Sequence, residues 1–256
     1  MNLEYSVTNS IGYITMNRPD KRNALSYELI SELKQAFGRA EQDAMVKIIV
    51  LRANGESFCA GADLSYLQHL QSNSYAENLA DSNHLKELFL QIYTLKKVVI
   101  AQVQGHALAG GCGLVTVCDF AFAVPEARFG YTEVRIGFVP AIVMVFLLRK
   151  IGEANAKQLL LSGELVKADH AQRVGLIRNT VPADKLADEV YAFAQLLLVS
   201  NSTHSMMLTK KMIAEVQSMN LSEALSFASS VNAEARASDD CKRGVAAFLN
   251  KEKIVW

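Results

Sequence analysis

QGHALAGGCGL, residues 104 to 114, follows the apolar run VVIAQV at 98 to 103 and precedes VTVCDFAFAV at 115 to 124. The run before it reads as a buried strand, and residues 110 to 118 read as a short, apolar helix. Between them the chain carries almost no side chain. Gly105 permits a sharp turn, while Gly110, Gly111 and Gly113 leave main-chain N–H groups unshielded where the helix begins. The helix dipole and the unpaired donors favour a negative oxygen there, either a phosphate or an oxyanion that develops during a reaction. Small residues also serve close packing, and that alternative stays open at this stage. A dinucleotide fingerprint is incomplete, because Gly111-x-Gly113 is followed by Thr116 where a third glycine belongs.

A second stretch repeats the device. SFCAGADL, residues 57 to 64, follows the strand-like KIIVL at 47 to 51 and again sets small residues before a helix. Amides from two such loops can converge on one carbonyl oxygen, and two preorganised donors are a standard means of holding a thioester enolate. The pattern points to acyl chemistry.

Working outward, LEYSVT and GYITM form a hairpin turned near Asn9 and Ser10. Leu29, Leu33, Ala36, Phe37 and Ala40 recur at helical spacing over 26 to 43, and residues 75 to 96 also read as helix. A strand is expected at 119 to 124. From about 183 onward only helical stretches appear, near 183 to 199, 203 to 218, 221 to 237 and 240 to 251. The first half is α/β and the last quarter a helical appendage. The two are expected to pack together, with residues 1 to 190 as the core and 191 to 256 as the helical region.

Composition limits the function. The chain has 256 residues, enough for a substantial core, and its 26 Lys plus Arg balance 26 Asp plus Glu. No global field favours nucleic acid or an anionic membrane. Cys59, Cys112, Cys118 and Cys241 show neither metal-ligand spacing nor a disulfide framework, so a reduced cytoplasm is expected. The longest apolar stretch, 139 to 148, falls short of the roughly 20 residues that span a bilayer. No G-x-S-x-G elbow occurs, and His69, His84, His106, His170 and His204 form no H-E-x-x-H pattern. His106 alone lies inside a motif, where a backbone partner is the commoner use of its ring.

SFCAGADL, QGHALAGGCGLVTVCDFAFA, ARFGYTEVRIGFVP, LLLSGELVKADHAQRVGLIRNTVP and NRPDKRNALS at 17 to 26 together resemble the enoyl-CoA hydratase/isomerase, or crotonase, family over nearly the whole chain. The resemblance implies a spiral of repeated ββα units, with a C-terminal helical region that makes homotrimers or hexamers. It implies oxyanion amides at Ala62 and Gly110, with Gly111 beside them. Ala60, Asp63 and Leu64 would line the same loop near the CoA, and Lys21, Arg22 and Ala24 would approach its nucleotide. Phe248 and Lys251 fall where relatives contact adenine and phosphate, although an exposed lysine is ordinary at a helix end. The substrate is expected to be an acyl-CoA, with no metal or other cofactor and no nucleic-acid or membrane partner.

Two departures set the chemistry in question. Gly113 stands at the first glutamate position of the hydratases, which leaves Glu133 as the catalytic carboxylate. In an apolar pocket its pKa would rise, and it would move a proton beside the held enolate; a surface salt bridge to Arg128 or Arg135 is the plain alternative. PAIVMVFL at 140 to 147 replaces a glycine-rich segment, and Ile142, Met144 and Phe146 either shorten the acyl pocket or pack the helix. The expectation is an enoyl-CoA hydratase of short or branched substrates in fatty acid metabolism. A single-glutamate Δ3,Δ2-enoyl-CoA isomerase or hydratase-lyase is the alternative. A non-catalytic CoA-binding or RNA-binding scaffold is the reading from another class.

Overall fold

A computed structural model describes residues 2–256, apart from the side chains of Leu64 and His69. The chain opens on the expected hairpin, β1 (Leu3–Thr8) and β2 (Ile11–Met16), with Thr8 opposite Ile11. Asn9 and Ser10 both take positive φ, 50° and 64°, as a two-residue turn matched to the strand twist requires. Helix α1 (Tyr27–Gln42) crosses back so that β3 (Ile48–Ala53) lies parallel to β2. Ser26 caps α1 by accepting from the Leu29 N–H, and Leu29, Leu33, Ala36, Phe37 and Ala40 are all buried against the core.

After β3 the chain alternates between two sheets. β4 (Ser57–Cys59) leads into α2 (Leu64–Leu70) and α3 (Tyr75–Thr94), which Ser74 and Glu77 start with a capping box. β5 (Val98–Val103) and β6 (His106–Leu108) lead into α4 (Gly110–Val117), and β7 (Phe120–Ala123) and β8 (Arg128–Gly130) lead into α5 (Ala141–Ser162). The long first strands join one sheet, and the short second strands join another. With β9 (Val166–Lys167) and β10 (Asn179–Thr180) the orders are β1-β2-β3-β5-β7-β10 and β4-β6-β8-β9. The repeated ββα plan is therefore physical, although the short strands carry too few residues for a sequence signal. α6 (Ala168–Arg173) connects β9 to β10, and α5 breaks at Gly152, where φ is 74°.

The helical end begins inside the core. α7 (Leu186–Ser200), in which residue 191 falls, packs on β5 and β7 with Leu186, Val190 and Ala194 buried. α8 (Thr203–Val216) lies on α3 and β5, and its Lys210 ammonium donates to the Ile92 and Lys97 carbonyls and pairs with Asp119 at 2.7 Å. α9 (Leu221–Ala237) packs on α8, and α10 (Asp239–Asn250) on α9. Among the described residues no helix is long and apolar enough to cross a membrane.

Candidate active site

The two small-residue loops meet. β4 runs parallel to β6, pairing Cys59 with Ala107, which brings CAGAD beside AGGCG. A Cβ at Gly111 would lie 2.2 Å from the Cys59 carbonyl oxygen, so this glycine is required by packing. Close packing and exposed amides are both realised, at different glycines of one loop.

Gly110 does something else. It is the first residue of α4, where the opening N–H groups have no intrahelical acceptor. The turn into it passes through Ala109 at φ 49° and ψ −123°, a conformation that costs a residue with a Cβ about 1–3 kcal/mol. The fold holds Ala109 from both sides: its N–H donates to the Gly130 carbonyl at 2.8 Å, and its carbonyl accepts from Gly113 at 3.0 Å. Strain fixes the direction of the first α4 amides.

Leu25 ties Gly110 to Ala62. The Leu25 N–H donates to the Gly61 carbonyl at 2.7 Å and the Leu25 carbonyl accepts from Asp63 at 2.9 Å, a parallel bridge centred on Ala62. That pattern points the N–H of Ala62 away from the Leu25 strand. The Leu25 Cδ1 lies 3.0 Å from where a Gly110 Cβ would stand. One leucine thus spaces the two amides.

The carboxylate arrives on the next segment. β8 pairs with β6, Gly130 opposite Leu108, and the chain then passes Tyr131 and Thr132 into a 3₁₀ turn, Glu133–Ile136. Tyr131 is fully buried, and its hydroxyl meets the Thr116 hydroxyl of α4 at 2.6 Å. The segment is thereby bolted to the helix. Among the described residues, Oε2 of Glu133 is buried and has no hydrogen-bond partner. The surface salt bridge to Arg128 or Arg135 is absent among the described ion pairs. Burial pushes the Glu133 pKa up from the usual carboxylate range, against a smaller lowering by its own backbone.

At the position of the missing acid the wall is apolar. A Cβ on Gly113 would lie 2.5 Å from Val143 Cγ1 and 2.9 Å from the Phe89 ring. Val143 is buried in the first turn of α5, and Phe89 is fully buried on α3. Bulk on two neighbouring helices fills the room that a glutamate would need. Nearby thiols offer no nucleophile: Cys59, Cys112 and Cys118 are pushed up to about 12 by burial.

This constellation of two meeting loops, one half-buried carboxylate and ββα repeats has relatives. Residues 6–256 match the sequence model of the family described as enoyl-CoA hydratase/isomerase. The chain belongs to the enoyl-CoA hydratase/isomerase family. It is an enzyme of that family, and its fold is the crotonase spiral. A Thermus thermophilus protein provisionally named an enoyl-CoA hydratase is 40% identical over 94% of this chain and 95% of its own. A crotonyl-CoA hydratase of Syntrophomonas wolfei is 34% identical over 95% of this chain and 93% of its own. The crystal structure of an enoyl-CoA hydratase from Shewanella pealeana superposes with a TM-score of 0.93 at 29% identity, covering 100% of this chain and 96% of that one.

The remaining site candidates of this crotonase fall into two groups. Lys21 and Arg22 are exposed, and the Arg22 carbonyl accepts from the Ala60 N–H at 3.0 Å, so two cations border the CAGAD loop. Ala24 is buried. Asp63 is also buried, and its oxygens are engaged within the fold: Oδ1 accepts from the Ser65 N–H and hydroxyl, and Oδ2 pairs with Arg18 at 3.2 Å. Those partners, led by the Ser65 hydroxyl, hold its pKa below the usual range. Leu64 begins α2, and its side chain lies outside the described residues. Phe248 is 82% exposed near the end of α10, followed by the exposed Lys251, far along the chain from either loop.

Sequence reasoning passed over the residues that set this geometry. Asn23 is fully buried, donates to the Asn54 and Ser57 carbonyls and accepts from the Arg18 N–H. Arg18 in turn donates to the Ala24 carbonyl at 2.8 Å. The only local signal was the polar RPDKRN run; that Arg22 and Asn23 both take positive φ around a buried hydrogen-bonding hub is seen in the structure.

Proposed function

We propose that this protein acts on a 2-enoyl-CoA thioester, as a hydratase of short or branched acyl groups. In this reading the N–H groups of Ala62 and Gly110 hold the thioester oxygen as negative charge develops on it, and Glu133 moves the proton at the neighbouring carbon. The observation that carries it is Glu133: a buried carboxylate oxygen without a protein partner among the described residues, its pKa raised by burial, on the segment whose Gly130 carbonyl holds Ala109 at the start of α4. Such a group is supplied with a partner when a ligand enters. The names of similar proteins support the short acyl group, since a Clostridium acetobutylicum relative at 33% identity is a short-chain-enoyl-CoA hydratase. Coenzyme A enters and leaves as part of the substrate. Lys21 and Arg22, beside the CAGAD loop, are suited to its phosphates, and Ala60, Gly111 and Ala24 shape the approach.

A second reading is favoured by one observation. Addition of water needs a group that orients the water as well as a proton source, and the wall at Gly113 is hydrocarbon from Phe89 and Val143. One carboxylate suffices to shuttle one proton, so double-bond shift by a Δ3,Δ2-enoyl-CoA isomerase also fits. The same inventory serves a hydratase-lyase. A non-catalytic scaffold fits less well, because an orphaned buried carboxylate costs stability and a scaffold has no use for it.

Assembly into homotrimers or hexamers is part of the proposal. It is supported by the exposed apolar side chains of α9 and α10: Leu221, Leu225, Val245, Phe248 and Leu249. The test of function is incubation with 2-enoyl-, 3-enoyl- and 3-hydroxyacyl-CoA in oxygen-18 water, with products weighed by mass spectrometry. Hydration places the label at the 3-position. A shift of 3-enoyl to 2-enoyl product without label selects the isomerase, and failure of all three to react or bind removes the proposed enoyl-CoA substrates.

A further inference from the structure

Glu133 stands on a stretch that does little to hold itself. Its 3₁₀ turn, Glu133–Ile136, buries none of its own side chains, and no side chain caps it at Thr132. From 132 to 142 no residue is buried as a whole. The carboxylate has no outside tether either: Oε2 meets no partner among the described residues, and the hydrogen bond that lowers its pKa comes from the Glu133 backbone. Where the carboxylate stands therefore depends on the residues just before it.

Two contacts fix that approach. Gly130 is wedged, because its carbonyl accepts from the Ala109 N–H at 2.8 Å and a Cβ on it would lie 2.6 Å from the Glu164 carbonyl oxygen. Tyr131 makes the second contact. The Thr116 hydroxyl donates to the Cys112 carbonyl at 2.9 Å, which leaves its oxygen to accept the Tyr131 proton at 2.6 Å. A buried tyrosine hydroxyl without a partner would be costly, so this bond is kept. Ala109 and Thr116 flank α4 at opposite ends, about 10 Å apart at 1.5 Å per residue. One contact would let the segment pivot, and two define its direction.

The carboxylate lies close to this pair. Burial is the main cause that raises the pKa of both the Tyr131 hydroxyl and the Cys112 thiol, and the Glu133 charge adds to it in both cases. Helix α4 also begins with Gly110. The element that presents the amide thus carries, six residues on, the anchor of the acid.

We infer that Tyr131 and Thr116 are positioning residues for Glu133, their hydrogen bond fixing where the carboxylate stands relative to the Gly110 amide. The inference rests on the reading of the preceding subsection that Glu133 moves a proton on a thioester held by Ala62 and Gly110. Neither residue is assigned a contact with the substrate; both act through Glu133.

The test compares the wild type with Tyr131→Phe, Thr116→Val, Thr116→Ser and the double variant Tyr131→Phe/Thr116→Val. Steady-state kinetics with crotonyl-CoA and 3-hexenoyl-CoA, calorimetric titration with butyryl-CoA and denaturant melts are the readouts. Tyr131→Phe and Thr116→Val are each expected to lower kcat on the order of 10–10²-fold with KM and butyryl-CoA affinity little changed, the scale on which misplacement by about 1 Å acts. The double variant should lose no more than either single one, because both remove the same bond. Thr116→Ser keeps the accepting oxygen and gives up a methyl group, so it should keep most of kcat even where the melt shows lost stability. Should Tyr131→Phe not fold, the contrast of valine with serine at 116 carries the test. Unchanged kcat in a folded Tyr131→Phe or Thr116→Val, or a serine variant as slow as the valine one, overturns the inference and leaves the enoyl-CoA reading intact. A wild type that turns over neither substrate overturns both.

Discussion

Glu133 carries opposite consequences for chemistry and stability. Its folded-state pKa is raised, so the folded protein holds that proton more tightly than the unfolded chain does. The stability this contributes is full below the unfolded carboxylate pKa of about 4.3 and is lost as pH rises through the folded value. Above that range the unpartnered carboxylate oxygen is therefore a burden on stability. Glu133→Gln is expected to lower turnover on the order of 10²–10⁴-fold, as loss of a general acid–base does, while raising the thermal midpoint at pH 7 to 8. The stability gain should vanish near pH 4, and acyl-CoA binding should persist. Differential scanning calorimetry across pH checks this, and equal midpoints at neutral pH would remove the burial argument. Gly110 makes the complementary case. A valine there presses on Leu25, which spaces the Ala62 amide, so one substitution disturbs both donors. Gly110→Val should fold and lose on the order of 10²-fold in kcat/KM, the scale of one oxyanion donor.

At the scale of elements, α4 is held at both ends and packed along its middle. Its start is aimed by Ala109 and its last carbonyls accept from Lys150, whose own pKa burial lowers. Between them Gly113 is pinned by α3 and α5. Replacing Gly113 with glutamate should destabilise by at least about 1–3 kcal/mol, because the side chain enters space already filled by Val143 and Phe89. Gly113→Glu/Val143→Ala opens part of that space. It should recover stability and increase oxygen-18 incorporation relative to double-bond shift, both measurable on one preparation by denaturant melts and product mass. The docking of α8 depends on one cation. Lys210→Met leaves Asp119 charged beside the α3 end, and urea titration should show a loss of about 3 kcal/mol.

For the whole molecule, the apolar face of the C-terminal helices is the open account. Phe248 is 82% exposed and Leu249 72%, on a helix that packs mainly on its neighbour α9. Light scattering at micromolar concentration should report a trimer or hexamer, and Phe248→Asp/Leu249→Asp should release smaller species. A monomer in the unaltered protein contradicts the assembly proposal. If Phe248 also reaches a neighbouring subunit's CoA, the double variant should raise KM more than it lowers kcat.

Much of this was legible from the residue order, and the reason is local. Spacing at 29, 33, 36, 37 and 40 specifies a helix face, a glycine before a helix exposes amides, and Asn-Ser between two alternating runs makes a turn, whatever lies elsewhere. The long strands, α1, α3, α4, the four C-terminal helices and the loops that bear Ala62 and Gly110 followed from such neighbours, whereas α5, broken at Gly152, was not assigned, and the motif resemblance named the carboxylate at 133. The short strands β4, β6, β8 and β9 did not, since two or three residues carry no period; they exist because neighbouring strands, parallel for β4, β6 and β8 and antiparallel between β8 and β9, supply their hydrogen bonds. Tertiary structure alone decided that Leu25 spaces the two amides, that Asp63 pairs with Arg18, and that Gly113 faces Phe89 and Val143. Each contact joins segments far apart in the chain, and burial, which sets the Glu133 pKa, is a property of the packed molecule and of no single stretch of chain.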